Sequence, residues 1–123
     1  MAVDVEFYNY YWTSRGEFTP NTTTPNRTSH RTFVRNVKFL NCYPFNDIET
    51  ISPRPVLFVA GDRAHSKEFS EDAYTRAAEP KELCWIKNAG HVDLYDRVGL
   101  IPWAKLTSFF KNRLAKNATT SST

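Results

Sequence analysis

Cysteine and histidine are scarce in this sequence, which limits the chemistry it can carry. There are 2 cysteines, Cys42 and Cys84, and 3 histidines. The cysteines form no Cys-x-x-Cys pair and the histidines stand apart from one another, so neither a zinc site nor a dithiol redox site is indicated. We therefore expect no metal, no cofactor, and two buried thiols that stay reduced in an intracellular protein.

Long apolar runs are also missing. No stretch approaches the ~18 apolar residues that a membrane-spanning helix needs. The N-terminus, MAVDVEFYNYYW, lacks the basic start and the apolar stretch of a secretory signal peptide. These absences predict a cytoplasmic protein with no membrane partner.

A strong excess of one charge is absent as well. Lys and Arg number 16 and Asp and Glu number 13, for a formal net charge of +3. The basic residues are dispersed among acidic ones, apart from an excess between Arg27 and Lys38. A nucleic-acid interface needs a coherent basic face, usually with aromatic platforms or a recognition motif. The sequence favours a solvated, mildly basic surface and no nucleic-acid partner.

The sequence does contain enough apolar material for a packed core, with 41% hydrophobic and 15% aromatic residues. Residues 3–12 carry apolar and aromatic side chains at spacings of three and four, which predicts a helix that ends near Arg15 and Gly16. Residues 17–32 are rich in Thr, Asn and Pro and predict a surface loop. Residues 33–40 alternate loosely, as in a strand or an extended segment.

Prolines dominate the next segment, residues 41–55, and leave room only for one helical turn from Asp47 to Ile51. The continuous apolar run from Val56 to Ala60 follows directly and is broken by Gly61. Such a run is typical of a strand buried on both faces of a parallel sheet.

The remaining signals predict a second strand between two helices. Ser70 is a candidate N-cap for a helix to about Ala78, and residues 82–86 (ELCWI) predict the next strand. A loop over residues 88–91 follows, and Pro102 suits the first turn of a final helix. This βαβα order predicts an α/β fold with few parallel strands and an incomplete sheet, because two buried strands need neighbours that the rest of the chain does not supply. We expect one partial domain over residues 1–123, with a helix at 1–16, a loop at 17–32, the late strands and C-terminal helix at 33–114, and a disordered tail at 115–123.

Two polar segments follow the two predicted strands. Gly61-Asp-Arg-Ala-His-Ser66 comes after the first and Gly90-His-Val-Asp-Leu-Tyr-Asp96 after the second. Ligands and catalytic groups gather at the carboxyl ends of parallel strands. A carboxylate from one segment and a histidine from the other could therefore meet, so that the acid orients the imidazole as a base.

These segments resemble the late part of the α/β-hydrolase fold. The matching runs are PRPVLFVAGDRAHSKEFSEDAY, EPKELCWIKNAGHVDLYD and IPWAKLTSFFKNRL, with a weaker match in YNYYWTSRGEFTP. The resemblance is closest to the dienelactone-hydrolase-like branch, and within it to the fungal polyketide-transferase hydrolases of secondary metabolism. It implies the C-terminal βαβα part of that fold, and hydrolysis or transfer of an acyl group from a small ester or thioester, polyketide-like, without a cofactor.

The resemblance assigns the catalytic histidine to His91, whose Gly90-His91 pair and following Asp93-Leu94-Tyr95-Asp96 match the family pattern. The acid is less direct, because many members carry it at the position of Ala64. We favour Asp62 as the catalytic acid. The alternatives are Glu71, Asp72 and Asp47, and we interpret His65 and Ser66 as structural.

The family's nucleophile has no counterpart in this sequence. The serine belongs in Gly-x-Ser-x-Gly, upstream of the acid and the histidine, and none of the 4 glycines brackets a serine in this way. Ser14-Arg15-Gly16 has Trp12 where the first glycine should be. Cys42 could replace the serine only if it were buried beside a base.

Two hypotheses follow. In the first, the chain is a truncated acyl hydrolase or acyltransferase that is inactive by itself. In the second, it is a stand-alone, non-catalytic remnant that acts as an interaction module and pairs its open sheet edge with a second copy or another partner.

Overall fold

The structure is a computed structural model that describes residues 3–11, 13–16 and 33–118. The chain divides into two compact units, Met1–Asn46 and Asp47–Thr123. The predicted loop at residues 17–32 lies outside the described residues, and the expectation of a single partial domain stays a prediction.

The first unit begins with the expected helix, α1 (Val3–Tyr11), followed by a short 3₁₀ helix (Ser14–Gly16). The Phe7 and Tyr11 rings, four residues apart, lie on one side of α1 with their centroids 5.9 Å apart. A Cβ on Gly16 would lie 2.1 Å from the carbonyl oxygen of Tyr10. The 3₁₀ helix therefore folds back against the end of α1, as only glycine allows.

The second helix of this unit, α2 (Phe33–Leu40), corrects the expectation of a strand at residues 33–40. The apolar residues at positions 33, 34, 37 and 40 fit the spacing of a helix as well as the loose alternation of a strand, and the segment forms the helix. Asn41 follows the last residue of α2. Its backbone N–H makes the final helical hydrogen bond, to the carbonyl of Val37 at 3.2 Å, and its side-chain amide caps the same carbonyl at 2.9 Å.

The second unit contains the parallel sheet. Strand β1 (Val56–Gly61) pairs in parallel with β2 (Lys81–Ile86), so that Val56 lies opposite Lys81 and Gly61 opposite Ile86. This confirms a mixed α/β structure. The elements of the unit are, in order, a 3₁₀ helix (Ile48–Ile51), β1, α3 (Lys67–Arg76), β2, α4 (Asp93–Asp96), a 3₁₀ helix (Val98–Leu100) and α5 (Trp103–Ala118). The first of these is the single turn expected near Asp47.

Apart from the buried Gly61, the residues of the two strands are half-buried, whereas we expected β1 to be buried on both faces. Helix α3 packs on β1, and the Tyr74 ring meets Phe58 edge to face at 6.2 Å. Ala73 within the helix and Ala77 just after it are buried. In the described part of the chain the sheet has two strands. Each strand therefore has one paired edge and one open edge.

Helix α3 begins earlier than expected, at Lys67, with Ser66 as the N-cap residue, and ends at Arg76. Ser70, the expected cap, lies inside the helix. Sequence alone offers two serines four residues apart, and the cap at Ser66 makes no side-chain hydrogen bond that would mark it.

The C-terminal end of α3 is held by a lysine from β2. Lys81 Nζ donates to the carbonyls of Tyr74 and Ala77, both at 2.8 Å, and lies 4.8 Å from the centre of the Tyr74 ring. A cation at the carbonyl end of a helix satisfies unpaired acceptors and complements the helix dipole. Lys81 thus ties the helix to the first residue of the strand that follows it.

Helix α5 begins after Pro102, whose carbonyl accepts from the Leu106 N–H at 3.0 Å. The helix continues to Ala118, which corrects the expected start of a disordered tail at residue 115; residues 119–123 lie outside the described part. Within the described ranges no helix reaches the length and apolarity needed to cross a bilayer. Cys84 is half-buried, but Cys42 is exposed, contrary to the expectation of two buried thiols; both are free.

Glu82 of β2 fastens α5 to the sheet. Its carboxylate accepts hydrogen bonds from Lys105 and, at 3.3 Å, from Arg113. The hydrogen bond from Lys105 is the main reason that the pKa of Glu82 lies below its usual value of 4.5, and Arg113 adds to it.

Glu82 should therefore make stability dependent on pH. Because its pKa is lowered in the folded state, its contribution is present above about pH 4.5 and is lost as the pH falls through the folded pKa. We expect Glu82→Gln to flatten the fall of Tm between about pH 6 and about pH 3. Thermal melts of this variant and of Glu49→Gln, an exposed glutamate, would check this; equal flattening in both would contradict it.

Candidate functional site

The candidate site lies at the carboxyl ends of β1 and β2, where two loops are bonded together. We call residues 62–66 the first loop and residues 87–92 the second loop. The N–H of Asp62 donates to the carbonyl of Ile86 and the N–H of Arg63 to the carbonyl of Ala89, both at 3.0 Å. The two loops thus continue the pairing of the strands beyond the sheet.

Gly61 and Asn88 give the loops their shape. A Cβ on Gly61 would lie 2.2 Å from the carbonyl oxygen of Ala89 and 2.8 Å from that of Gly90. The second loop therefore crosses directly over the end of β1, where only glycine leaves room. Asn88 has a φ of 62°, a left-handed conformation that asparagine tolerates better than most residues.

His91 lies where the two loops meet. Its Nδ1 is 2.6 Å from Oγ of Ser66 in the first loop. The ring centroid of His65 lies 4.4 Å from that of His91, and the Tyr95 ring meets it edge to face at 6.2 Å. The expected meeting of the two segments is present, but in these contacts His91 meets a hydroxyl and a second imidazole.

Asp93 fixes the backbone next to His91. It is buried, its Oδ2 accepts from the N–H of Gly90 at 2.8 Å, and its Oδ1 is paired with Arg97 Nε at 3.2 Å. Val92, the last residue of the second loop, is fully buried and so fixes that end of the loop in the core. Short-range bonds of this kind, from an aspartate to the backbone three residues before it, are among the local patterns that Asp commonly forms.

Asp62, the favoured acid, is exposed, and its Oδ1 accepts from the N–H of Asn88 at 2.7 Å. It thus holds the loop that carries His91. Two of the alternatives, Glu71 and Asp72, lie on α3, and each forms an ion pair with a residue one helical turn away. Glu71 pairs with Lys67 at 3.4 Å, and Asp72 pairs with Arg76 at 2.9 Å.

Asp47, the last alternative, precedes the first 3₁₀ helix of the second unit in a left-handed conformation. Ala64 stands at the position where the α/β-hydrolases that the sequence resembles often carry the acid. It is buried in the turn of the first loop, and its N–H donates to the carbonyl of Gly61 at 3.2 Å. The catalytic roles of His91 and Asp62 stay predictions.

Ser66 is the residue of this site whose role the sequence did not indicate. Its contact with His91 joins residues that are 25 positions apart in the sequence, so no local motif indicates this contact. Chemically, an imidazole beside a hydroxyl can accept and return a proton. The described residues contain no group of three or more His, Cys, Asp or Glu side chains arranged to hold a metal ion.

Comparison with known proteins identifies a longer bacterial relative. The chain is 44% identical over 110 residues to the uncharacterized protein PA2218 of Pseudomonas aeruginosa; the match covers 89% of this chain and 29% of the relative. The crystal structure of the hypothetical protein PA2218 superposes with a TM-score of 0.75 at 43% identity, over 89% of this chain and 33% of that chain. The chain thus spans less than a third of the length of this curated relative. No protein-family profile matches the chain.

Proposed function

We propose that the second unit is the histidine-bearing part of an α/β-hydrolase-type acyl hydrolase or acyltransferase of the cytoplasm. Its substrate would be a small ester or thioester, polyketide-like as in the branch that the sequence resembles. The observation that carries the proposal is the position of His91 at the carboxyl end of a parallel strand pair, on a loop bonded to the loop that follows the other strand. That is where α/β folds place their reactive groups.

The proposed chemistry gives His91 the role of general base. It takes the proton of a serine nucleophile during attack on the acyl carbon and returns it to the leaving group. Asp62 acts indirectly on His91, because its carboxylate accepts a hydrogen bond from the Asn88 backbone and so holds the second loop in place. The nucleophile comes from polypeptide outside these 123 residues, because no Gly-x-Ser-x-Gly is present and Cys42 is exposed.

A chimera with PA2218 tests this proposal. The region of PA2218 that matches this chain is replaced by the chain, and hydrolysis of p-nitrophenyl esters and serine labelling by a fluorophosphonate are measured. We expect activity in the chimera, a loss of at least about 10³-fold in kcat with His91→Ala, and no hydrolysis above buffer by the isolated chain.

His65→Ala is the matched control, since the His65 ring packs against His91 at a tilt of 40° but is exposed. It should leave most of the activity. The proposal fails if PA2218 and the chimera neither hydrolyse esters nor react with the probe, or if His91→Ala is as active as His65→Ala.

A second candidate is an interaction module. It is favoured by the open edges of β1 and β2 and by exposed large apolar side chains on α5. A sheet edge with unpaired backbone groups pairs readily with a strand of another chain. This function needs no catalytic His91, so substitution of the histidine would leave it intact.

A further inference from the structure

We propose that Ser66 is the positioning residue of His91: its hydroxyl holds Nδ1 of the imidazole, in the place where a carboxylate stands in a serine–histidine–acid triad. This inference rests on the proposed function, because positioning has a catalytic consequence only if His91 acts as a base. It replaces the role expected of Asp62.

The geometry of the described residues carries this assignment. Oγ of Ser66 and Nδ1 of His91 are 2.6 Å apart in a half-buried setting, which is a short hydrogen bond for a hydroxyl and a ring nitrogen. The side-chain hydrogen bond of Asp62 runs to the backbone of Asn88. The hydroxyl of Ser66, and not the carboxylate favoured from the sequence, is thus placed at Nδ1 of the imidazole.

Ser66 is free for this role because it does not serve its helix. As the N-cap residue of α3 it would normally accept a hydrogen bond from the first turn, but its side chain makes no such bond. The backbone position at the start of a helix fixes the serine, and its hydroxyl is directed across to the second loop. Removal of the hydroxyl therefore costs α3 no side-chain cap.

A bond at Nδ1 determines which nitrogen does the chemistry. A hydroxyl can accept a hydrogen bond as well as donate one, so Nδ1–H donating to Oγ is compatible with the contact. In that tautomer the lone pair is on Nε2, and proton transfer takes place there. A neutral hydroxyl, unlike a carboxylate, does not stabilise the imidazolium by charge. Titratable groups next to the imidazole include His65 and Tyr95, which pack against the ring, and Asp93, two residues along the chain, which is paired with Arg97.

The experiment reads the tautomer directly. Long-range ¹H–¹⁵N spectra of the histidine-labelled full chain are recorded at about pH 8, where an ordinary histidine is neutral. The three histidines are assigned by substituting each in turn. We expect Nδ1–H to dominate at His91, and Ser66→Ala to reduce the ratio of Nδ1–H to Nε2–H by about fivefold, the effect of one net hydrogen bond. Ser70→Ala, one turn further along α3, is the matched control and should leave the ratio unchanged.

Ser66→Asp supplies the converse test. A carboxylate at this position should keep Nδ1–H and, through its negative charge, raise the pKa of His91 relative to the unsubstituted chain. Far-ultraviolet circular dichroism confirms that each variant keeps the fold. The proposal is overturned if Nε2–H dominates in the unsubstituted chain, if Ser66→Ala behaves like Ser70→Ala, or if Asp62→Asn shifts the tautomer in its place.

These readouts need no nucleophile, so the two proposals fail separately. A tautomer that depends on Ser66, found together with an inactive PA2218 chimera, leaves the positioning role and removes the acyl-transfer function. An active chimera that loses activity with His91→Ala, but whose rate and pH profile are unaffected by Ser66→Ala, removes only the positioning role.

Discussion

Gly61→Ala is expected to abolish the stable fold of the second unit. The new Cβ would lie 2.2 Å from the carbonyl oxygen and 2.6 Å from the carbonyl carbon of Ala89. These are backbone atoms of a loop that is bonded to the first loop on both sides of the contact, so neither can yield without breaking hydrogen bonds. We expect the free energy of unfolding to fall by at least about 3 kcal/mol, a large part of the stability of a small domain.

Gly99→Ala provides the control in the same unit. A Cβ at Gly99 meets no atom within 4 Å, and this glycine is exposed, so its substitution should change stability by less than about 0.5 kcal/mol. Urea unfolding followed by tryptophan fluorescence measures both variants. Equal midpoints for the two variants would show that the second loop does not lie on β1 as described.

The second large effect is on oligomeric state: the isolated chain is expected to dimerise or aggregate. We expect the contact to involve the open edge of β1, at Val56–Ala60, or the apolar face of α1. On α1, Val5, Tyr8 and Tyr11 are 49, 59 and 55% exposed. Exposed apolar side chains of this size and an unpaired strand edge both favour association.

Helix α5 adds a third apolar surface. Leu106, Phe109 and Arg113 are half-buried, whereas Trp103, Phe110 and Leu114 are 55, 56 and 66% exposed. The exposed three recur at spacings of seven and four and so share one side of the helix. These three side chains span about three turns of the helix and provide further apolar area for self-association.

A proline in β1 can test the edge without breaking the sheet. The N–H of Val56 donates to the carbonyl of Pro80, just before β2, and the N–H of Asp62 donates to the carbonyl of Ile86, the last residue of β2. In a parallel ladder the donors alternate, so the N–H groups of Leu57 and Val59 point to the open edge. Val59→Pro should therefore shift the chain towards monomer in light scattering coupled to gel filtration.

Ala60→Pro is the matched substitution on the paired side. It removes a donor that faces β2 and should unfold the second unit, as circular dichroism would report. A 14.2 kDa monomer with a sharp melt, before any substitution, would contradict the expected association. Association that persists unchanged in Val59→Pro would assign the contact to α1 or α5.

The sheet could be predicted because its signals are local. Pro55, the apolar run of β1 and Gly61 are contiguous, and ELCWI repeats the pattern before Asn88. Helix α2 was predicted wrongly because its apolar positions satisfy two periodicities. The burial of the strands was predicted wrongly because it depends on which other elements cover the two faces of the sheet. An apolar strand sequence shows that its side chains can be covered, but it does not show that they are.

The site was predictable only in part for a related reason. The topology of a parallel pair brings the two loop segments together, and that placed His91 beside the first loop. Which side chain of that loop contacts the imidazole depends on where α3 begins, and a start at Lys67 turns Ser66 towards His91. A shift of one turn in the helix boundary was enough to hide this contact from the sequence.

The hydrogen bonds between the two loops also bear on motion. Because Asp62, Arg63 and Ser66 each bond to the second loop, we expect the two loops to open together, as one cooperative unit of local unfolding. An opening that frees Asn88 from Asp62 also releases His91 from Ser66. The time for which His91 stays bonded to Ser66 should thus depend on how fast the backbone hydrogen bonds at the end of the sheet open. Hydrogen exchange at the Arg63 amide would measure the same opening rate.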